Sequence, residues 1–238
     1  MQGLDAVQLI SVIELFVAAS ISIILGISII KMYRNKPDRS TLIFLVDFIL
    51  IGCALAFVAV DRILLSVFGD VSSGLLFHNL AVYISLGVIL LLDIFAFQMT
   101  YPKQVSKLTI IMVLLLIVAG IMLYFNPPYL GSQNEILYAD EMLFLVLPFL
   151  ALPIFIPIIV FFYSSAKVRD DSVPKSNRLL TMGFAGLFVT IGYIFELMGI
   201  TGILVIIVRL SFVLFTFLMY IAFIMPNWYK RIIGAEEL

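Results

Sequence analysis

The chain has 238 residues, of which 63% are hydrophobic and only 12% are charged, and its mean hydropathy is +1.21. Because a soluble domain carries about 25% charged residues, this composition excludes a water-soluble core and indicates that lipid surrounds the protein. The single cysteine, Cys53, excludes an intrachain disulfide and a thiolate metal site, and the single histidine, His78, excludes a bis-histidine haem. We expect no metal and no cofactor.

Seven apolar runs are long enough to cross about 30 Å of hydrocarbon as helices. The first run follows no positively charged segment and is too long for a signal-peptide core, so we interpret it as a retained span. The predicted fold is all-α, a single domain over residues 1–238 that forms a seven-helix membrane bundle. The predicted spans are residues 7–30, 41–68, 75–97, 108–125, 142–163, 179–198 and 203–225.

The lysines and arginines are distributed on one side of these spans. Of the 14, all but two lie in the links that follow spans 1, 3, 5 and 7, and the other two, Arg62 and Arg209, lie within spans. The opposite links carry acidic residues, namely Asp70, Glu135, Asp140 and Glu141. The positive-inside rule therefore predicts that the N-terminus is outside and the C-terminus is cytoplasmic.

Two links are longer than the rest. Residues 126–141 contain two prolines and a glycine, and this link can fold over the outer mouth of the bundle. Residues 166–178 carry charges of both signs, so they form either a cytoplasmic docking surface or a plain solvated loop. Small residues such as Gly52 and Gly186 predict close helix contacts. Pro148, Pro153 and Pro157 predict that span 5 is either mobile and cavity-lining or statically kinked.

Ionisable side chains within the hydrocarbon cost about 2.5–3.5 kcal/mol each on insertion scales, so they persist when they are paired or hydrated. The predicted topology places six of them in the outer third of the membrane: Glu14, Asp61, Arg62, His78, Glu196 and Arg209. Glu196 and Arg209 flank the short turn at residues 199–202, so we predict an ion pair between them, with Asp61 and Glu14 as competing partners of Arg209. Tyr193, one turn before Glu196, is a candidate donor to this group.

Three interpretations of the outer group stay open. It can be a pocket for a small polar ligand or for proton sensing, an ion-pair network that locks the helices, or part of a transport path. His78 is expected at the outer interface, where a hydrated histidine needs no partner; its alternative roles are metal ligand or proton switch.

Two further aspartates, Asp47 and Asp93, lie in the inner third of spans 2 and 3. They can mark an inner polar track through the bundle, or they can be hydrogen-bonded to a neighbouring helix or lie near the inner headgroups. Two membrane aspartates can also form a protease dyad, but neither one has the glycine-rich sequence context of such enzymes.

Motifs for catalysis are absent from the sequence. It contains no Walker, HExxH, GxSxG or CxxC pattern, and no lysine lies within a span to form a retinal Schiff base. We therefore expect that the protein is not an enzyme.

The last span ends in Tyr-Ile-Ala-Phe-Ile-Met-Pro-Asn-Trp-Tyr-Lys-Arg, residues 220–231. This ending, the basic link after span 1 and the seven-span topology resemble the sensor modules at the N-terminus of some prokaryotic histidine kinases. Those modules continue into a signalling domain, whereas this chain ends seven residues after Arg231. The resemblance therefore implies a sensor in a prokaryotic plasma membrane whose output passes to a separate partner.

The leading hypothesis is a receptor-like or sensor-like integral membrane protein with an outward-facing polar pocket. Its expected partners are membrane lipids and a separate cytoplasmic signalling protein or membrane subunits, and no nucleic acid. The first alternative is a carrier of a small solute or ion, with Asp47 and Asp93 along its path. The second is a structural subunit of a larger membrane complex. The sequence does not predict the ligand or the oligomeric state.

Overall fold

The computed structural model describes residues 5–35, 37–131, 136–199 and 202–235. Within these residues, seven helices are long and apolar enough to cross a membrane. They are α1 (Ala6–Asn35), α2 (Arg39–Ile63, continued by a π-helical turn, Leu64–Phe68), α3 (Val71–Thr100), α4 (Val105–Phe125), α5 (Asp140–Val168), α6 (Val173–Leu197) and α7 (Leu204–Ile224). A short amphipathic helix, α8 (Asn227–Ile233), follows α7.

These helices occupy the seven predicted spans, but several extend beyond them. The largest difference is between α5 and α6, where only residues 169–172 connect the two helices, so the predicted long loop at 166–178 is wrong. Pro174, read from the sequence as a loop residue, lies in the first turn of α6, where the absent N–H costs nothing. The Ser165 hydroxyl on α5 donates to the Ser176 carbonyl on α6 at 2.8 Å and closes this end.

The helices form a closed ring in sequence order. Each helix packs against the next one, and α7 returns to pack against α1. Because α3 also contacts α5 directly, α4 lies at the outside of the bundle. The predicted glycine contacts are present: a Cβ added to Gly52 would lie 2.6 Å from Ile23 Cγ1, and one added to Gly186 would lie 2.9 Å from Ile158 Cγ1. Small residues thus let these backbones approach closely, as they do in lipid-embedded bundles.

Successive helices run antiparallel, so the bundle has two ends. We call one the hairpin end, because the link between α4 and α5 forms a two-stranded hairpin there, β1 (Tyr129–Leu130) and β2 (Ile136–Leu137). We call the other the basic end. The links between α1 and α2, α3 and α4, and α5 and α6 lie there with α8, and most of the lysines and arginines are in or beside these segments. Of the sequence-predicted charges, Glu135 at the hairpin end and Lys36 at the basic end lie outside the described residues.

The hairpin packs onto the end of the bundle. Ile136 is buried, and a Cβ on Gly199, in the turn after α6, would overlap Leu137 Cδ2. Gly199 has φ +65°, which favours glycine. Tyr138 is also buried, and its ring lies 6.0 Å from the ring of His78. The link between α4 and α5 therefore covers the part of the bundle that holds the predicted polar residues.

The short helix α8 packs against α6 at the basic end. Tyr229 is buried and its hydroxyl lies 2.8 Å from the Thr181 hydroxyl on α6, whereas Trp228 is exposed. A seven-residue helix is too short for a hydropathy profile to detect. Its two buried residues, Tyr229 and Ile233, are four positions apart and lie on one face, as in an interfacial amphipathic helix.

Candidate functional site

A continuous chain of polar side chains crosses the hairpin end. It joins α3, α2, α6, α7 and α1 through contacts of 2.7–3.2 Å. We call it the hairpin-end network, and in order it consists of His78, Asp61, Arg62, Glu196, Arg209 and Ser11.

The predicted ion pair between Glu196 and Arg209 is present. Glu196 lies in the last turn of α6 and Arg209 in the second turn of α7, and Nη2 of Arg209 is 3.2 Å from Oε1 of Glu196. Arg209 is only 2% exposed. The short turn between the two antiparallel helices places Glu196 and Arg209 at similar depths in the bundle. The distance of each residue from the turn along the sequence was therefore sufficient to predict the pair.

Arg62 shares the same carboxylate oxygen. Its Nη2 lies 2.8 Å from Oε1 of Glu196, and its Nε lies 3.2 Å from Oδ1 of Asp61. The sequence placed Arg62 in the outer group without a partner. One carboxylate oxygen therefore holds two guanidinium groups from different helices, which makes Glu196 the centre of the network.

His78 and Asp61 differ from their predicted environments. Nδ1 of His78 lies 3.0 Å from Oδ2 of Asp61, and both residues are buried. The expectation of a hydrated interfacial histidine is wrong, because the hairpin covers this side chain. Asp61 was a predicted competitor for Arg209. Its close contacts are instead with His78 on α3 and with Arg62, the next residue on α2.

Ser11 is the member that sequence analysis missed. Nη1 of Arg209 donates to its hydroxyl at 2.7 Å, and that hydroxyl donates to the Gln8 carbonyl at 2.9 Å. Glu14, three residues later on α1, lies within Coulombic range of Arg209, yet its Oε2 is buried with no hydrogen-bond partner among the described residues. The usable signal was the spacing of Ser11 and Glu14, which places them on one helix face.

The charges of the network balance. Arg62 and Arg209 each carry one positive charge, and Asp61 and Glu196 each carry one negative charge, so the four ion-paired groups sum to zero. A buried ion pair is favourable only when its partners and hydrogen bonds are all in place, and removal of one partner leaves an uncompensated charge. The network is therefore a cooperative unit in which each charge depends on the others.

A small cavity adjoins the network. It has a volume of about 60 Å³ and is lined by His78, Glu196 and Tyr193 among other residues. Since one water occupies about 30 Å³ in the liquid, the space suits one or two waters or a small polar group. The predicted hydrogen bond from Tyr193 to the group is wrong: its hydroxyl is buried and has no partner within the described part of the chain.

Tyr138, on the hairpin side, also carries a buried hydroxyl without a partner among the residues described. Burial, and then the nearby Tyr193, Tyr83 and Asp61, raises the pKa of Tyr138 above its usual range. Its phenol is therefore neutral at ordinary pH. Of these two tyrosines only Tyr193 lines the cavity, so its hydroxyl is the one that a bound molecule could satisfy.

A second cavity of about 100 Å³ continues toward the middle of the bundle. It shares Ser85, Tyr193 and Phe212 with the first one, and its lining is mostly apolar. Pro153 and Pro157 of α5 line it, which agrees with the interpretation of span 5 as cavity-lining. Each of these prolines removes a backbone donor from the α5 ladder at the cavity wall.

Asp47 and Asp93 form no part of this network. Both are fully buried, and none of their carboxylate oxygens has a hydrogen-bond partner within the described residues. Asp47 on α2 and Asp93 on α3 each lie within one helical turn of a ring in the contact between Phe44 and Phe95, so the two carboxyls are at similar heights in the bundle. Asp47 lies about 21 Å along α2 from Asp61 at the helical rise, and no chain of hydrogen bonds among the described residues joins them.

Among the described residues, no group of three or more histidine, cysteine, aspartate or glutamate side chains is placed to hold a metal ion. Comparison of the chain with protein-family models, with curated proteins and with solved structures finds no match.

Proposed function

We propose that the protein is a receptor-like or sensor-like integral membrane protein, with the hairpin-end network as its responsive site and a separate cytoplasmic or membrane partner as its output. The observation that supports this proposal best is the sharing of one Glu196 oxygen by Arg62 and Arg209 beside a small cavity. The network draws together helices that are distant in sequence, so a change at one carboxylate acts on several of them.

The proposed switch is competition for the arginines. A small anionic ligand in the cavity competes with Glu196 for Arg62 and Arg209 and weakens its hold on them. Because buried charges need partners, a released guanidinium turns to another acceptor, such as the Glu14 carboxylate, whose Oε2 has none among the described residues. Two alternative pairings of a packed network are the kind of bistable element on which a ligand can act.

A route from this site to the basic end runs along α6. Glu196 lies at one end of this helix, and Arg178 and Thr181 lie near the other. Nε of Arg178 donates to the Ala222 carbonyl of α7 at 2.7 Å, and Thr181 contacts Tyr229 of α8. A displacement of α6 would therefore change contacts at the end of α7 and at α8.

The proposed orientation places the hairpin end outside and the basic end in the cytoplasm of a prokaryotic cell. It is supported by the distribution of lysine and arginine, which follow spans 1, 3, 5 and 7. The proposal includes the likeness to the sensor modules of histidine kinases, which rests on residues 220–231 and the basic link after α1.

Thermal unfolding of the purified protein in detergent tests this function. A panel of small inorganic anions and short carboxylates is screened at constant pH, because the cavity of about 60 Å³ has room only for a small polar group. We expect at least one condition to shift the unfolding midpoint of the wild type and to have no effect on Glu196→Gln. The matched control is Glu141→Gln, an exposed acid at the hairpin end, which should respond as the wild type does. A panel that shifts both variants equally, or neither the wild type nor the variants, would contradict the proposal.

A carrier is the second candidate, and one observation favours it. Asp47 and Asp93 are buried carboxyls without partners among the residues described, a feature typical of proton relays in transporters. Proteoliposomes loaded with a pH-sensitive dye should then show proton flux that Asp47→Asn abolishes. The control is Asp171→Asn in the exposed link between α5 and α6. No flux in the wild type would leave the sensor as the better proposal.

A further inference from the structure

A cavity of about 360 Å³ opens at the basic end, distinct from the two cavities described above. Its walls come from α2, α3, α5, α6 and α7, and include Ser40, Thr41, Lys175 and Arg178. We call it the basic-end vestibule. Helices from both sides of the ring line it, and its polar side chains lie on an otherwise apolar wall.

The vestibule carries two positive charges that form no ion pair with any carboxylate among the described residues. The four ion pairs within those residues all involve the hairpin-end network, and neither Lys175 nor Arg178 takes part in any of them. The acids nearest in sequence, Asp38, Asp170 and Asp171, are exposed and form no ion pair with either cation. Among the described residues, the charge at the vestibule wall is therefore positive.

Arg178 is held in place for binding. Its Nε donates to the Ala222 carbonyl at 2.7 Å, and its guanidinium carbon lies 5.5 Å from the centre of the Phe223 ring, which also lines the vestibule. With Nε engaged and the plane fixed against a ring, the two terminal nitrogens remain as donors. A planar guanidinium fixed in this way is suited to binding the oxygens of a phosphate group.

Two hydroxyl side chains, Ser40 and Thr41, also lie at the wall of the vestibule. The Ser40 hydroxyl donates to Oε1 of Gln98 at 3.3 Å, so its oxygen remains as an acceptor. Gln98 itself does not line the vestibule.

We infer that the basic-end vestibule binds the phosphate group of a water-soluble molecule. Two cations match the charge of about −1.5 to −2 that a phosphate monoester carries near neutral pH, and the Arg178 guanidinium, the Lys175 ammonium and the Thr41 hydroxyl at the wall are donors. A cavity lined by helices from both sides of the ring favours a soluble source over a lipid headgroup, whose acyl chains would have to pass between helices. This inference does not depend on the proposed sensor function, because it concerns the opposite end of the molecule.

Phosphorus NMR of inorganic phosphate, titrated with protein in neutral-detergent micelles at constant ionic strength, tests the inference. We expect saturable line broadening with the wild type. Lys175→Gln, at an exposed position that tolerates polar side chains, should weaken binding about tenfold, as expected for loss of one charged hydrogen bond. Lys103→Gln makes the same charge change at the same end but outside the vestibule, and should leave the affinity unchanged.

Arg178→Gln should abolish saturable binding, with circular dichroism to confirm that the helices are retained. Because Arg178 also contacts α7, Lys175→Gln keeps the inference testable if that variant fails to fold. A second arm uses nanodiscs with and without phosphatidylglycerol. Absence of saturable phosphate binding, equal weakening by Lys103→Gln, or Lys175-dependent stabilisation by the anionic lipid without any by inorganic phosphate would each overturn the inference.

Discussion

Two groups of carboxyls within the bundle differ in how their charge is accommodated. At the hairpin end, the fully buried Asp61 and the 15% exposed Glu196 lie within 3.2 Å of Arg62, Arg209 or His78. Toward the basic end, Asp47 and Asp93 are fully buried, and their oxygens have no partner within the described residues. A charge in hydrocarbon must be either paired or removed. The first group is paired, and we interpret the second as neutral, protonated carboxyls.

The strongest test of the paired group is the removal of Arg209. Arg209→Met removes the donor to the Ser11 hydroxyl and leaves Arg62 as the one arginine of the network beside two carboxylates, Asp61 and Glu196, so one negative charge is no longer balanced. We expect a loss of about 3–5 kcal/mol in the free energy of unfolding, measured by denaturant titration in mixed micelles. Arg34→Met, an exposed arginine near the end of α1, is the control and should change stability little. A loss below about 1 kcal/mol in Arg209→Met, the most that exposed ion pairs contribute, would remove the distinction between the two groups.

The comparison is sharpened by the same substitution in each group. Asparagine resembles a protonated aspartate, so Asp47→Asn and Asp93→Asn should each change the unfolding free energy by less than about 0.5 kcal/mol, the range of a substitution that breaks nothing. Asp61→Asn removes a charge that His78 and Arg62 contact, and should cost about 2 kcal/mol. Equal losses at Asp47 and Asp61, in the same titration, would show that the two groups do not differ in charge.

The smallest predicted effect concerns the covering of the network by the hairpin. Gly199 and Gly202 have nearly the same left-handed backbone, with φ +65° and +67°, so alanine should cost about 1–2 kcal/mol at either position. A Cβ at Gly199 would also overlap Leu137 of the hairpin, whereas one at Gly202 would meet nothing within 4 Å. Thermal or denaturant unfolding should therefore show Gly199→Ala to be about 1 kcal/mol less stable than Gly202→Ala. Equal stability of the two variants would mean that the hairpin does not pack tightly on this turn.

The helices were predictable because lipid leaves the backbone few choices. Seven apolar runs separated by polar links specify seven spans, since each N–H and C=O must find a partner within its own segment. A hydropathy profile does not locate the polar turns at the ends of helices. α5 extends to Val168 and α6 begins at Val173, and the hydrogen bond from Ser165 to Ser176 joins these two polar ends. The short helix α8 was missed for the same reason.

The site was predictable only where connectivity fixes geometry. Glu196 and Arg209 flank a short turn, so their pairing follows from depth alone. The contacts of Arg209 with Ser11 and of Arg62 with Glu196 join helices far apart in sequence, and they depend on the rotation of each helix about its axis. That rotation is set by packing. The spacing of Ser11 and Glu14 places them on one face of α1, but it does not show whether that face meets lipid or a guanidinium.

The central claim is that Glu196 and Arg209 neutralise one another inside the bundle, and a double-mutant cycle measures this directly. Unfolding free energies are determined in mixed micelles for the wild type, Glu196→Gln, Arg209→Met and the double variant. We predict a coupling energy of about 2–3 kcal/mol, with the double variant destabilised by much less than the sum of the two single variants. Glu196→Gln leaves the buried Arg209 without its carboxylate and Arg209→Met leaves one negative charge of the network unbalanced, whereas the double variant removes both charges. Additive effects within about 0.5 kcal/mol would contradict the account, since they would mean that the two side chains do not interact.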